Sequence, residues 1–280
     1  MTNPLKPEIA TILRIEEETP SIKSFYLKPE NWFDYNPGQF CIVGVPGVGE
    51  SAISIGSSPT EKKHIQLTIA NVGAVTSKIH ELVDGNQLTI RGPFGNGFPA
   101  DKLKGLNISF MAGGVGLPAI SNIMQYCMAN RGDYGKMELL YGARTPSDMV
   151  FTKKLEEWKS AKDFKMQLTV DNGDKDWTGD VGVVPQYYDA NFAKRSELLF
   201  STDKHFDKTA VVASGPPVMI KFTLIALAKI GFPKERTYVS LEARMNCGCG
   251  KCGRCNVGHH YICQDGPVFT AAEVEQMKVF

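Results

Sequence analysis

Two kinds of hydrophobic pattern divide the chain. Over roughly its first hundred residues, apolar side chains come in short or alternating runs at 9–15, 22–27, 40–45, 65–70 and 87–90. Turns bearing Pro, Gly and Asn separate these runs, and the spacing predicts a small antiparallel barrel. One stretch departs from this pattern: Val75, Ile79, Leu82 and Val83 fall on one helical face, so 75–83 reads as a helix.

After Leu106 the pattern changes to longer alternating units. Residues 107–112 read as a buried strand, Gly113 to Pro118 as a turn and 119–130 as a helix. A strand at 137–141, a helix at 150–159, strands at 166–170 and 210–214, a helix at 219–230 and a strand at 238–241 follow. Alternation of this kind predicts a doubly wound α/β domain on a parallel sheet. Residues 172–209 carry no clear pattern, and 192–208, rich in charge, reads as partly surface loop. No internal repeat or low-complexity tract is present.

Five of the seven cysteines fall within the seventeen residues from Cys247 to Cys263. Taking Cys247, Cys252, Cys255 and Cys263 as ligands gives C-x4-C-x2-C-x7-C, whose first three members have the plant-type spacing that wraps a [2Fe-2S] cluster. Glycines 248, 250, 253 and 258 belong to the same signal, because amides that turn toward sulfur need backbone freedom. A zinc ribbon is the competing reading, but it places two C-x2-C knuckles roughly 15 residues apart, and here there is one knuckle. Cys249 stands too close to Cys247 for both to serve one small cluster; it reads as a spare thiol or as a substitute for Cys247. Cys41 and Cys127, in apolar stretches, read as core residues.

Charge adds mainly exclusions. Lys plus Arg (31) nearly balances Asp plus Glu (30), so no field favours nucleic acid or acidic lipid. A chain of 280 residues with 42 % hydrophobic content is long enough for about two cored domains. The first residues lack the basic and apolar regions of a signal peptide, and no apolar run approaches the ~18 residues of a membrane span. Clustered thiols with glycine then predict metal binding in a reducing compartment, the cytoplasm, without direct membrane insertion.

A strand that ends in Gly113, Gly114 and Gly116 and opens a helix aims free amides and a helix dipole at a pyrophosphate. Alone, G-G-x-G-x-P is equally a backbone device for a tight corner, and Pro118 stands where the dinucleotide fingerprint has its last glycine.

The order of barrel, G-G-x-G-x-P domain and four-cysteine loop resembles the ferredoxin-NADP reductase-type family. Within it the chain resembles the branch with a C-terminal [2Fe-2S] cluster, which includes the anaerobic sulfite reductase B subunit, the sulfhydrogenase gamma subunit and the electron-transfer subunit of dihydroorotate dehydrogenase. The likeness spans about residues 8–270. The strings Arg244 to Cys255 and Tyr261 to Phe269 favour the sulfite reductase and sulfhydrogenase subunits.

The resemblance implies three modules: an FAD-binding antiparallel β-barrel at 1–102, an NAD(P)-binding α/β domain at 103–238 and a [2Fe-2S] module at 239–280. It also assigns residues. The family's flavin motif Arg-x-Tyr-Ser aligns with Ser51-Ala-Ile-Ser54, keeping only Ser54, so the flavin phosphate must be held elsewhere. Gly73, Ala74, Val75, Thr76 and Ser77 match the motif at a helix start that takes the FAD pyrophosphate. Gly95 lies in the loop Gly92 to Phe98, placed by the family where flavin and nicotinamide meet. Gly113, Gly114 and Gly116 would cradle the NAD(P)H pyrophosphate, Arg144 would border the adenosine ribose, and Gly215 with Pro216 would lie under the nicotinamide. Arg144 suits a 2'-phosphate but is compatible with NADH, so the donor stays open.

No side chain is implied as catalytic, because the cofactors carry the chemistry. The five histidines form no triad and no metal-ligand spacing. The implied function is electron transfer among NAD(P)H, FAD and the cluster, to or from an iron-sulfur or catalytic subunit of a larger redox complex of the sulfite reductase, hydrogenase or heterodisulfide-reductase type. The alternatives are the dihydroorotate dehydrogenase subunit and, from another class, a metal-stabilised adaptor that has lost its flavin.

Overall fold

The computed structural model describes residues 3–188 and 206–280. Its first sheet is antiparallel throughout and has six strands: β1 (Glu8–Thr19), β2 (Ile22–Pro29), β3 (Phe40–Val45), β4 (Gly49–Ser54), β5 (Ile65–Ala70) and β6 (Gln87–Phe94). Their order is β4-β3-β6-β1-β2-β5, and the two edge strands come together through a single bridge from Ile55 to Leu67. The sheet is therefore barrel-like without a full closing ladder. Alternate side chains of these strands, with Ile12, Phe25, Val43, Leu67 and Ile90, form one buried core into which the helix α1 (Ala74–His80) sets Ile79. Cys41 belongs to that core, and Cys127 is likewise fully buried.

The strands of the second sheet are β7 (Asn107–Gly113), β8 (Met137–Ala143), β9 (Phe164–Val170), β10 (Asp180–Val181), β11 (Thr209–Ser214), β12 (Thr237–Ser240) and β13 (Val268–Thr270). Their order is β10-β9-β8-β7-β11-β12-β13. The ladders from β10 through β12 are parallel, and β7, β8 and β11 are buried along nearly their whole length, as a sheet covered on both faces requires. Helices α2 (Gly116–Ala129), α3 (Thr152–Lys159) and α4 (Pro217–Lys229) alternate with the strands. The chain moves from β7 to one side through β8 and β9, then to the other through β11 and β12. The strand order thus reverses beside β7, where open α/β sheets bind ligands.

Chain contacts define two compact units. One comprises Met1–Phe98, Ser121–Ala129 and Leu241–Val268; the other comprises Pro99–Ile120, Asn130–Ser240 and Phe269–Phe280.

Among the elements that differ from the sequence expectation, two do so for plain local reasons. The helix expected at 119–130 begins at Gly116, since Pro118 sits in its first turn, where a missing N–H costs nothing. Strand β4 goes unforeseen because Gly-Glu-Ser-Ala-Ile-Ser lacks alternation and is only half buried. The loop expected at 192–208 lies mostly outside the described residues; its last three, Phe206–Lys208, form a 3-10 turn. Among the described residues no helix is long and apolar enough to cross a membrane.

Candidate functional site

The cysteine loop belongs to the first unit. Cys255 and Cys263 are buried, Cys247 and Cys249 half-buried, and Cys252 exposed. Gly248, Gly250, Gly253 and Gly258 all have positive φ between 58° and 77°, a backbone region that favours glycine. These turns aim amides at sulfur. Lys251 and Cys252 donate to Cys247 Sγ at 3.2 and 3.4 Å, and Gly250 donates to Cys263 Sγ at 3.2 Å. Burial raises the Cys247 thiol pKa, but the amides of Cys249, Cys252 and Lys251 lower it further, to about 6. Burial pushes Cys263 the other way, upward, despite the Gly250 amide.

Among the described residues no three His, Cys, Asp or Glu side chains stand together as ligands for a single metal ion. The thiols fall into two groups: Cys247 contacts Cys249 and Cys252, and Cys255 contacts Cys263. With Cys249 set aside, Cys247 with Cys252 and Cys255 with Cys263 make two thiol pairs, the donor set of a two-iron cluster, which takes two cysteines at each iron. The residues present fit that group. His260 is exposed, its Nδ1 3.9 Å from Asp265 Oδ2.

The loop is seated on the barrel at both ends. At its entry, Arg91 of β6 donates to the carbonyls of Asn246 and Cys247, each at 2.6 Å, and Gly248 is set so closely that a Cβ there would lie 2.8 Å from Phe94 and 3.0 Å from Ile42. At its exit, Asn96 Nδ2 donates to the carbonyls of Asp265 and Val268, both at 2.8 Å, and its Oδ1 accepts from Val268 N. Gly95 serves the same junction: a Cβ there would stand 2.5 Å from Pro267 Cδ and 2.9 Å from Gly266 O. The loop expected at the flavin thus clasps the cysteine module. Asn96→Ala, which removes three hydrogen bonds, is expected to destabilise the protein by about 1–3 kcal/mol in urea unfolding.

The residues expected to meet flavin lie on the same unit. Ser54 ends β4, half-buried and opposite Phe40. Gly73 is the N-cap of α1. Thr76 Oγ1 accepts from the amides of Val72 and Gly73 and donates to Gly73 O, while Ser77 Oγ donates to Asn71 Oδ1. Both hydroxyls are therefore engaged within the turn, which leaves the first amides of the helix, from Ala74, Val75 and Thr76, for an anion. A Cβ at Gly73 would meet nothing within 4 Å, so the approach to those amides is open.

On the second unit, Gly113 and Ser214 end adjacent strands at the point of strand reversal, with Gly142 of β8 paired beside Gly113. The three glycines of the turn do different work. A Cβ at Gly113 would stand 2.4 Å from Met219 Sδ, and one at Gly116 would stand 2.3 Å from Ser214 O. Gly114 has φ +51° and open space around its missing side chain, and its N–H donates to Gly142 O at 2.8 Å. Gly113 and Gly116 thus let elements pack, and Gly114 is the position a ligand can approach. Gly215 packs on Met219, and Pro216 caps α4.

Arg144 is exposed just past β8. No acidic residue ends that strand, but the parallel register of Ala143 with Val170 brings one from the next strand: Asp171 follows β9, its amide donating to Ala143 O. Burial raises the Asp171 pKa while Arg144 opposes the rise. The pairing of β8 with β9 is the signal that locates Asp171, and it is invisible without the register.

Comparisons with known proteins bear on the fold and the family. Residues 110–224 match the oxidoreductase NAD-binding domain family, and residues 242–275 match the iron-sulfur cluster binding domain of dihydroorotate dehydrogenase B. Sulfhydrogenase 1 subunit gamma of Pyrococcus furiosus is 36 % identical over 97 % of this chain and 93 % of that protein. From the same organism, "Probable dihydroorotate dehydrogenase B (NAD(+)), electron transfer subunit" is 31 % identical over 92 % of this chain and 88 % of that protein. Among solved structures, an NADH-dependent reduced ferredoxin-NADP oxidoreductase superposes with a TM-score of 0.73 at 23 % identity, covering 98 % of this chain and 91 % of that one. A ferredoxin NADP+ reductase from Neisseria gonorrhoeae gives 0.72 at 17 % identity over 84 % and 98 %. These two likenesses concern the fold. With similarity to the gamma subunits along nearly all of both chains and a cysteine loop that matches its own domain model, the chain belongs to the family of the sulfhydrogenase gamma and dihydroorotate dehydrogenase B electron-transfer subunits.

Proposed function

We propose that the protein is the electron-transfer flavoprotein subunit of a larger oxidoreductase, linking NAD(P)H, FAD and a [2Fe-2S] cluster to a partner subunit. The observation that carries this reading is the cysteine loop, whose paired thiols receive backbone amides and which is seated on the flavin-type barrel. When bound, flavin supplies two-electron exchange with the nicotinamide and single-electron exchange with the cluster.

The chain's own residues bind, orient and shield. Residues 1–102 would hold FAD, with Ser54 near the flavin and the turn from Gly73 to Ser77 facing its pyrophosphate through the amides of Ala74, Val75 and Thr76. Residues 103–238 would hold the nucleotide: the amides around Gly114 and the positive end of α2 face the pyrophosphate, and Arg144 with Asp171 border the adenosine ribose. Gly113 and Gly116 shape that corner. Residues 239–280 would hold the cluster through Cys247, Cys252, Cys255 and Cys263, with Cys249 outside the ligand set. A partner subunit is expected because the gamma and electron-transfer subunits it resembles are, by name, parts of larger enzymes. The partner is an iron-sulfur or catalytic subunit of the hydrogenase, sulfite reductase or heterodisulfide-reductase type. The thiol loop suits the cytoplasm, where cysteines stay reduced.

An anaerobic absorbance and EPR titration of the purified protein with NADH, and separately with NADPH, tests the reading. The expected result is bleaching of the flavin bands followed by the signal of a reduced [2Fe-2S] centre, with one nucleotide as the better donor. A protein without flavin, whose cluster responds to dithionite alone, would refute it in favour of the adaptor.

A further inference from the structure

Arg91 is a buried cation with no part in the nucleotide and flavin sites proposed above. Its side chain is 6 % exposed and belongs to the central barrel strand β6. Nε donates to Glu50 Oε1 at 2.9 Å and Nη2 to Glu50 Oε2 at 2.7 Å, so one face of the guanidinium fork is closed by a bidentate carboxylate. The other face donates to the main chain of the cysteine loop, Nη2 to Asn246 O and Nη1 to Cys247 O, both at 2.6 Å.

The barrel is built to allow this. In the ladders on β3, Ile42 lies opposite Arg91 and Gly44 opposite Glu50. A Cβ at Gly44 would stand 2.9 Å from Glu50 Cγ and 2.3 Å from Gly49 O, so the absence of a side chain at residue 44 gives Glu50 its room. Arg91 also lies over the Phe94 ring, 5.6 Å from its centroid, and Phe94 is the ring on which Gly248 packs. Buried guanidinium, carboxylate, aromatic ring and loop main chain therefore form one assembly across residues far apart in sequence.

We infer that Arg91, oriented by Glu50, is a positioning residue for the iron-sulfur centre: it fixes the loop at Cys247 and directs a permanent positive charge at the cluster, raising its reduction potential. The inference rests on the cluster reading above. One-electron reduction adds a negative charge to the centre, which a nearby cation stabilises, and Arg stays protonated at any working pH. Glu50, on the adjacent edge of the guanidinium, carries the opposite charge and partly offsets that field. Removing the two charges should therefore move the potential in opposite directions, whereas simple loosening of the loop would move it the same way in both variants.

The test is an EPR-monitored redox titration of the whole purified protein, with iron, acid-labile sulfide and flavin counted per chain. Arg91→Met should lower the cluster potential and Glu50→Gln should raise it, each changing the reduced-to-oxidised ratio at fixed ambient potential by roughly tenfold, which is about 59 mV for a one-electron centre. Arg91→Lys, which keeps the charge without the fork, should fall between Arg91→Met and the unaltered protein. Shifts of the same sign in Arg91→Met and Glu50→Gln, or no shift in either, overturn the inference while leaving the cluster reading intact. If Arg91→Met fails to retain iron, Glu50→Gln decides alone, and no rise in its potential overturns the inference. Unaltered protein without iron removes the cluster reading and the inference together.

Discussion

Cys263→Ser is expected to abolish the iron-sulfur centre, weakening cluster retention by more than about 100-fold, the upper range for loss of a mere supporting contact. Cys263 is 1 % exposed, receives the Gly250 amide and pairs with Cys255, so its loss breaks one of the two thiol pairs and leaves a directed amide without its sulfur. Iron and sulfide per chain, with the EPR amplitude after dithionite, measure the outcome. Cys247→Ser should behave alike, because the amides of Lys251 and Cys252 converge on that sulfur. Cys249→Ser should keep its iron, since among the described residues no amide is directed at that thiol in the way that three are directed at its neighbours. Full iron in Cys263→Ser would refute the ligand set, and loss of iron in Cys249→Ser would exchange Cys249 for Cys247.

Gly116→Ala is expected to cost the protein about 3 kcal/mol or more, and Gly114→Asn to spare stability while impairing nucleotide use. At Gly116 the new methyl group would stand 2.3 and 2.5 Å from O and C of Ser214 and 2.6 Å from Cα of Gly215. All three are backbone atoms at the end of a central strand, so relief requires moving β11 and not merely turning a side chain. At Gly114 nothing lies within 4 Å, and asparagine tolerates a φ of +51° better than other side chains do. Its side chain would project into the space assigned to the pyrophosphate, where misplacement of about 1 Å lowers rates by on the order of 100-fold. Thermal unfolding and NAD(P)H oxidation with an artificial acceptor separate the two effects. Unchanged NAD(P)H oxidation in Gly114→Asn would refute the pyrophosphate assignment.

The glycine turn shows where sequence reading reaches its limit. A motif of three glycines gives the corner and its chemistry, but only the packing of Met219 and Ser214 distinguishes the two glycines that let elements meet from the one left open. The barrel strands, the alternating second half and the cysteine loop are legible because each is written in local period or spacing. Strand β4 is not, having neither alternation nor full burial. Thr76 shows a subtler gap: its hydroxyl looks available in the sequence, yet the fold commits it to the amides of Val72 and Gly73. Asp171 and Arg91 depend on partners in other strands, and Arg91 reaches its loop across 155 and 156 residues, a separation that no local pattern encodes.

The seat beneath the cysteine loop also has a consequence in time. The unit containing the barrel is assembled from Met1–Phe98, Ser121–Ala129 and Leu241–Val268, so its first strands leave the ribosome roughly ten seconds or more before the residues that complete it. Until then Arg91 and Asn96 have no carbonyls to grip, and the thiols have no surface to be held against. Iron delivery accordingly follows synthesis of the chain through Cys263, and a ribosome stalled between residues 129 and 241 would hold a barrel without its cysteine loop.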